Sequence, residues 1–255
     1  MQVGTYVIRK KYGGDVLFKV ERLINDTAIL KGVYIRLVAT AFLDDLIIIS
    51  EPDLKYYNKL FIDKSNSIKD EYKLNKNHIT GKILHIDSDL EYLKKCNRVY
   101  SELGLYSVCV LIDAPNIYRY IVDLVKSYNV DIVVITGHDA YNKRGIHDLD
   151  NYLSSKHYIK AIKELRKCYS KNDLYIFAGA CGSNFEAIIA AGASAASSPG
   201  RVNIDAYDPA ICAVKASTTP FNQIISFDSI WEHSLTKNEG ISGIESYGHM
   251  RILRL

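Results

Sequence analysis

The chain has 255 residues, of which 48% are hydrophobic and 24% are charged, and these proportions exclude a disordered or fibrous protein. No apolar run reaches the ~18 residues of a membrane span, and the first residues lack the basic-then-apolar order of a signal peptide. Five cysteines without a close pair argue against a disulfide framework. The net charge of +3 lies within the first 80 residues and is small for a nucleic-acid-binding protein. We therefore expect a soluble, intracellular protein with no membrane partner and without nucleic acid as its main ligand.

Short apolar runs separated by turn-forming residues occupy the first 50 residues. The predicted strands span residues 3–9, 16–20, 27–30 and 34–38, with turns at 11–15 and 31–32. So many short strands in so little chain favour a small SH3-like β-barrel over residues 1–55. A polar segment at 56–80 is expected to be a linker, and its stretch 65–77 is expected to be exposed and cleavable.

From residue 81 onward, strand-type apolar runs alternate with amphipathic segments. The predicted strands span residues 83–86, 108–112, 131–135 and 174–177, and the predicted helices span 90–103, 115–128, 154–169 and 183–191. This alternation is typical of a parallel sheet with helices on both faces, a Rossmann-type α/β domain over residues 81–255. In such a domain the functional residues lie at the carboxyl ends of the strands.

Two of these strand ends carry residues of a catalytic type. The strand 131–135 leads to His138, and the strand 174–177 leads to Cys181, which is surrounded by Gly and Ala. A cysteine attacks a carbonyl group as the thiolate, and a nearby imidazole and a following helix N-terminus favour that form. Small neighbours let a substrate approach and leave backbone N–H groups for an oxyanion. The pair therefore predicts nucleophilic catalysis.

Other kinds of site have less support. The metal-binding spacings C-x-x-C, H-x-x-x-H and H-E-x-x-H do not occur, so neither a metal nor a cofactor is expected. The glycine motifs of nucleotide-binding loops are also missing, although Gly179 and Gly182 beside a helix start leave phosphate binding as an alternative. The remaining cysteines are interpreted as small packing residues: Cys96, Cys109, Cys168 and Cys212.

The His and Cys blocks resemble those of the caspase-like, clan CD cysteine proteases, although Asp139 stands where those enzymes usually have Gly. The chain is more similar still to the YabG sporulation-specific protease family. The segments that carry this resemblance are residues 9–15, 30–32, 36–37, 135–141, 177–181, 185–187, 196–199, 201–204 and 208–209. The resemblance implies a caspase-like fold and a cysteine endopeptidase, made during sporulation, that processes spore coat and related proteins.

The same resemblance implies that Cys181 is the nucleophile and that His138 is the general base, which then protonates the leaving amine. We expect the backbone N–H of Cys181, with that of Asp139 or Gly182, to form the oxyanion hole. No third catalytic residue is required. The Asp139 side chain is expected to point away from His138, with a role in orienting His138 as the alternative.

The substrate pocket is expected within residues 195–208, because this edge borders the cysteine in caspase-like folds. Several relatives with that fold prefer a basic residue at the cleaved bond, and such a pocket needs a carboxylate. The candidate pocket residues are Ser197, Ser198, Asp205, Asp208 and Asp148, with Asp150 as a further competitor. Asp208 followed by Pro209 is equally typical of a helix start, and the loop 142–151 is either a substrate lid or a solvated connection.

The implied partners are protein substrates, and the implied location is the mother-cell cytoplasm, the spore coat or both. An enzyme that selects basic residues would also find Lys69, Lys73 and Lys76 in the linker, which predicts slow self-cleavage there. Two alternatives stay open: a different thiol hydrolase or amidotransferase, and a non-enzymatic protein whose barrel binds RNA or a protein partner.

Overall fold

The computed structural model describes residues 1–56, 59, 66, 70, 74–234 and 236–254. The chain divides into two compact units, Met1–Ile68 and Lys69–Leu255, and each has its own hydrophobic core. Residues 51–56 are helical. Most of the predicted linker, including nearly all of its first two thirds, lies outside the described residues.

The first unit is built on a five-stranded antiparallel sheet in the order β4-β3-β2-β1-β5. Its strands are β1 (Tyr6–Arg9), β2 (Phe18–Ile24), β3 (Thr27–Gly32), β4 (Val38–Phe42) and β5 (Leu46–Ile48). Alternate residues of β3 are buried, as expected when one face of a strand packs on a core. That core contains Val7, Phe18, Val20 and Leu30.

Two features of the first unit differ from the prediction. The strand predicted at 34–38 is wrong, because β3 continues to Gly32 in register with Phe18 of β2 and the next strand begins only at Val38. Residues 33–37 instead close a tight connection in which Gly32 N–H donates to Leu37 O. Strand β5 was not predicted, because three residues are too few to show a period.

The second unit contains a six-stranded sheet in the order β12-β11-β10-β9-β7-β8. Its strands are β7 (Ile83–Asp87), β8 (Ser107–Leu111), β9 (Ile132–Thr136), β10 (Tyr175–Ala178), β11 (Ala195–Ser197) and β12 (Ile241–Gly243). Neighbouring strands are parallel except for the edge strand β12, which is antiparallel to β11. A separate antiparallel pair joins β6 (His78–Ile79) to β13 (Arg251–Ile252). The predicted α/β organisation with a parallel sheet is confirmed.

Helices cover both faces of this sheet. They are α1 (Leu90–Glu102), α2 (Ile117–Tyr128), α3 (Ser155–Arg166), α4 (Phe185–Ala190), α5 (Asp208–Thr218), α6 (Phe227–His233) and α7 (Lys237–Gly240). One face packs against α2, α3 and α4 through a continuous apolar cluster. On the other face, α5 packs against β9, β10 and α1. The strand ends therefore emerge at the edge of a rigid, doubly covered sheet.

Candidate active site

Three side chains stand at matching positions on three neighbouring strand ends. Asp87 of β7 pairs with Thr136 of β9, and two residues beyond this pair lie Asp89 and His138. In the same way Ile135 of β9 pairs with Ala178 of β10, and His138 and Cys181 each follow three residues later. Because the carboxyl ends of parallel strands meet at one edge of a sheet, Asp89, His138 and Cys181 all lie at that edge.

Contacts to both the ring and the backbone of His138 fix its position. Its Nε2 lies 2.8 Å from Asp89 Oδ2, and because a carboxylate accepts, this nitrogen carries the hydrogen. The ring contacts the edge of Tyr92, with ring centroids 5.8 Å apart, and the Tyr158 hydroxyl donates to His138 O at 3.3 Å. The imidazole of the neutral residue therefore presents an unprotonated Nδ1.

Gly137 is needed because other atoms occupy the space of a side chain. A Cβ at this position would overlap Ser88 Oγ and lie 3.0 Å from the Tyr158 hydroxyl oxygen. The absence of a Cβ thus lets the turn that carries His138 lie against the turn that carries Asp89.

Asp89 joins the helix start to the histidine. Its Oδ1 accepts from Glu91 N–H at 2.9 Å and from Tyr92 N–H at 3.3 Å, which caps α1, while Oδ2 receives His138. The Asp89 N–H in turn donates to Asp87 Oδ1 at 2.8 Å. The contact with His138 depends on the pairing of β7 with β9 and has no local signal in the sequence.

Cys181 lies in a tight turn and is only 6% exposed. Ile204 N–H donates to its Sγ at 3.2 Å, and a donor to sulfur favours the thiolate. Gly182 has a left-handed φ of +67°, and its N–H donates to Val202 O and Ser198 Oγ. Helix α4 begins at Phe185 instead of residue 183, so the helix N-terminus is farther from the thiol than predicted.

Asp139 follows His138 but turns its carboxylate elsewhere, as expected. The carboxylate accepts from Ser154 N–H, the Ser155 hydroxyl and the Ser183 hydroxyl. None of these three partners was identified from the sequence, since they come from distant positions in the chain. The residue that contacts the His138 ring is Asp89.

The other predicted site residues fall into two groups. Ser197 and Ser198 lie at the end of β11 beside Cys181: Ser198 Oγ donates to Val202 O, and Ser197 Oγ is buried without a hydrogen-bond partner among the described residues. Asp205 and Asp208 are both buried. The Asp205 carboxylate accepts from Tyr207 N–H. The Asp208 carboxylate accepts from Asp205 N–H and from the hydroxyls of Ser234 and Thr236.

Asp148 is exposed and accepts from Asp150 N–H, while Asp150 pairs with Lys156. Both thus lie in the solvated loop after His138. The alternative interpretation of Asp208 is close to what is observed, since it is the first residue of α5 and Pro209 is the second.

The five cysteines are free and differ in exposure. Burial raises the pKa of Cys109 to about 12 and raises that of Cys212 well above its ordinary value, so both remain thiols at neutral pH. Cys96 is buried as well. The prediction that Cys168 is a packing residue is wrong, because it lies just beyond the last turn of α3 and is exposed.

Within the described part of the chain, no group of three or more His, Cys, Asp or Glu residues is arranged to hold a metal ion. A cavity of about 500 Å³ is lined by Ile224, Ser226, Phe227, Asp228, Trp231, Ser242, Gly243 and Glu245. Because Gly243 pairs with Ala195, the first residue of β11, this cavity borders the opposite edge of the sheet. Among the same residues, no helix has the length and apolarity required to cross a membrane.

Comparison with known proteins gives a consistent result over the whole chain. The model of a peptidase family described as YabG peptidase U57 matches residues 2–254. The sporulation-specific protease YabG of Bacillus subtilis (strain 168) is 38% identical, in an alignment that covers 98% of this chain and 97% of that protein. The chain belongs to the YabG peptidase family.

Proposed function

We propose that the protein is a cysteine endopeptidase of sporulation in which Cys181 is the nucleophile and His138 is the general base. The observation that carries this proposal is that Asp89, His138 and Cys181 follow the paired carboxyl ends of β7, β9 and β10, two or three residues beyond each strand. The hydrogen bond from His138 Nε2 to Asp89 adds a contact that orients the base.

The reaction begins when the Cys181 thiol gives its proton to His138 Nδ1. The thiolate attacks the carbonyl carbon of the substrate, a C–S bond forms, and the carbonyl electrons move to oxygen. When this oxyanion collapses, the C–N bond breaks and His138 passes its proton to the leaving amine. Water then attacks the thioester while His138 takes a proton, and the C–S bond breaks to release the acid.

The oxyanion would be bound by backbone N–H groups of Cys181 and Asp139. Of the two alternatives considered for the second donor, Gly182 is the less suitable, because its N–H already donates to Val202 O and Ser198 Oγ. The Asp139 amide lies on the turn of His138 itself, so base and oxyanion donor would move together.

The substrates we propose are spore coat and spore-associated proteins, encountered in the mother cell or in the coat, in agreement with the sporulation-specific name of the relative. For a basic cleaved residue, Ser197 and Ser198 beside Cys181 would line the pocket. Asp205 and Asp208 would have to act from buried positions in which their oxygens already accept hydrogen bonds. The caspase-like fold, the SH3-like barrel and self-cleavage between residues 65 and 80 are further parts of this proposal.

A protein extract of spore coats, incubated with purified enzyme and analysed by mass spectrometry, tests the proposal. Wild-type protein should generate defined cuts, and Cys181→Ala and His138→Ala should abolish them while the fold is retained. Cys168→Ala removes the exposed thiol instead and should cut normally. If Cys181→Ala still cuts, the mechanism is wrong. If no variant cuts proteins but Cys181 reacts with small thioesters or amides, a different thiol hydrolase is indicated.

A further inference from the structure

The residue that follows His138 has a second connection to the nucleophile. The Asp139 side chain is buried, and each of its two carboxylate oxygens accepts two hydrogen bonds. Oδ1 accepts from Ala140 N–H at 2.9 Å and from Ser154 N–H at 2.7 Å. Oδ2 accepts from Ser155 Oγ at 2.6 Å and from Ser183 Oγ at 2.8 Å.

Both serine hydroxyls also accept a hydrogen bond from the turn that carries Cys181. Ser183 Oγ accepts from Ala180 N–H at 2.9 Å, directly before the cysteine. Ser155 Oγ accepts from Asn184 N–H at 2.8 Å, three residues after it. Each hydroxyl therefore links a backbone N–H of this turn to the same carboxylate oxygen, and the two links hold the two ends of residues 180–184.

We propose that Asp139 is a positioning residue that fixes the turn of Cys181 relative to the turn of His138 through Ser155 and Ser183. This inference rests on the proposed function of His138 and Cys181 and adds to it the element that sets their relative placement. Since Asp139 is covalently joined to His138, any shift of the histidine turn is transmitted to the nucleophile, and the two stay aligned.

A carboxylate suits this role better than the alternatives. Four donors converge on it, all of them neutral N–H or O–H groups, and two oxygens can accept all four bonds. An amide side chain offers one oxygen and one NH2 group, so Asp139→Asn leaves either the two hydroxyls or the two backbone N–H groups without their acceptor. A glycine at this position would leave all four donors without the carboxylate.

The test compares Asp139→Asn and Ser183→Ala with a matched control, Asp173→Asn. Asp173 also accepts a backbone N–H, from Ser170, but it is exposed in the connection that precedes β10, at the opposite edge of the sheet. A misplaced reacting atom costs on the order of 100-fold per ångström. We therefore expect Asp139→Asn to lower kcat about 10- to 100-fold, with KM changed less than about threefold, and Asp173→Asn to match the wild type.

Two further measurements separate positioning from simple loss of stability. In a Cys168→Ala background, the rate of Cys181 alkylation by iodoacetamide is measured from pH 5 to 9. Asp139→Asn should shift the rising limb of this profile to higher pH, because His138 no longer stabilises the thiolate. The double variant Asp139→Asn/Ser183→Ala should have a kcat less than twofold below that of Asp139→Asn. The reason is that both changes break the same link between Asp139 and Ala180.

The outcomes distinguish this inference from the proposed function. If Cys181→Ala is inactive while Asp139→Asn and Ser183→Ala both keep the wild-type kcat and alkylation profile, only the positioning role is wrong. If Asp139→Asn fails to fold, Ser183→Ala alone decides, because it keeps the carboxylate and removes the link to Ala180. A drop in melting temperature with unchanged kcat and profile in the folded fraction would also overturn the inference.

Discussion

Replacing Asp89 by Asn tests whether His138 depends on the carboxylate that receives its Nε2. Asn is as good a helix cap as Asp, so its oxygen can still accept from Glu91 N–H and Tyr92 N–H. Its amide nitrogen must then face His138. Because that nitrogen donates, the proton of the neutral imidazole moves to Nδ1, and Nδ1 can no longer take the proton of Cys181.

The size of the effect follows from the bond that is lost. A hydrogen bond to a charged group contributes about 1.5–3 kcal/mol, and 1.36 kcal/mol corresponds to a tenfold change in rate. Asp89→Asn should therefore lower kcat at least ~10-fold and up to ~150-fold. The melting temperature should stay within a few degrees of wild type, since the cap is retained. Asp89→Ala should lose a similar amount of activity and, in addition, about 1 kcal/mol of stability with the cap.

The assay uses a quenched fluorescent peptide that contains a cut site found in the coat extract, with Asp173→Asn as the matched control. Steady-state kinetics give kcat and KM, and thermal unfolding gives the stability of each variant. A kcat for Asp89→Asn within twofold of the wild type would refute the role assigned to Asp89, whatever the melting temperature.

Three further predictions concern the turn of His138, the thiols and the half-buried His249. Gly137→Ala should lower activity at least tenfold, because its Cβ would overlap Ser88 Oγ and displace the turn; kcat of the folded variant checks this. Iodoacetamide at pH 7.5 should label Cys168 and Cys181 but not Cys109, whose pKa is raised to about 12 by burial, as peptide mass mapping would show. Burial lowers the pKa of His249, although the charge of Asp131 acts to raise it. The unfolded chain therefore takes up a proton on this histidine at higher pH than the folded chain does. Stability should therefore fall as the pH drops below about 6.5, and His249→Gln should flatten this part of a plot of melting temperature against pH.

The order of elements between Ile83 and Ala190 could be predicted because each has a local signal. The central strands are short, mostly apolar runs that are buried throughout. The helices α1, α2 and α3 bury one face, and both patterns show in the sequence. Helix α5 shows no such signal because all of its residues are buried, so no polar side marks a helical period. Strand β11 is three small residues long and is defined by its neighbours in the sheet.

The candidate site likewise contains residues that have a local signal in the sequence and residues that have none. His138 and Cys181 could be proposed because functional residues gather at the carboxyl ends of parallel strands, a rule that needs only the strand positions. Their partners were missed, because Asp89 reaches His138 only through the pairing of β7 with β9. The contact of Asp139 with Ser183 spans 44 residues of sequence, and nothing in the local pattern of either residue indicates it.

Covalent trapping by a peptide chloromethyl ketone tests most directly whether Cys181 is a nucleophile activated by His138. The peptide carries the sequence that precedes a cut in the coat extract, and the enzyme carries Cys168→Ala so that the exposed thiol cannot react. We expect one adduct per chain, located on Cys181 by mass spectrometry, and a loss of labelling when His138→Ala is added. An adduct on another residue, or labelling of Cys181 at the same rate without His138, would contradict it.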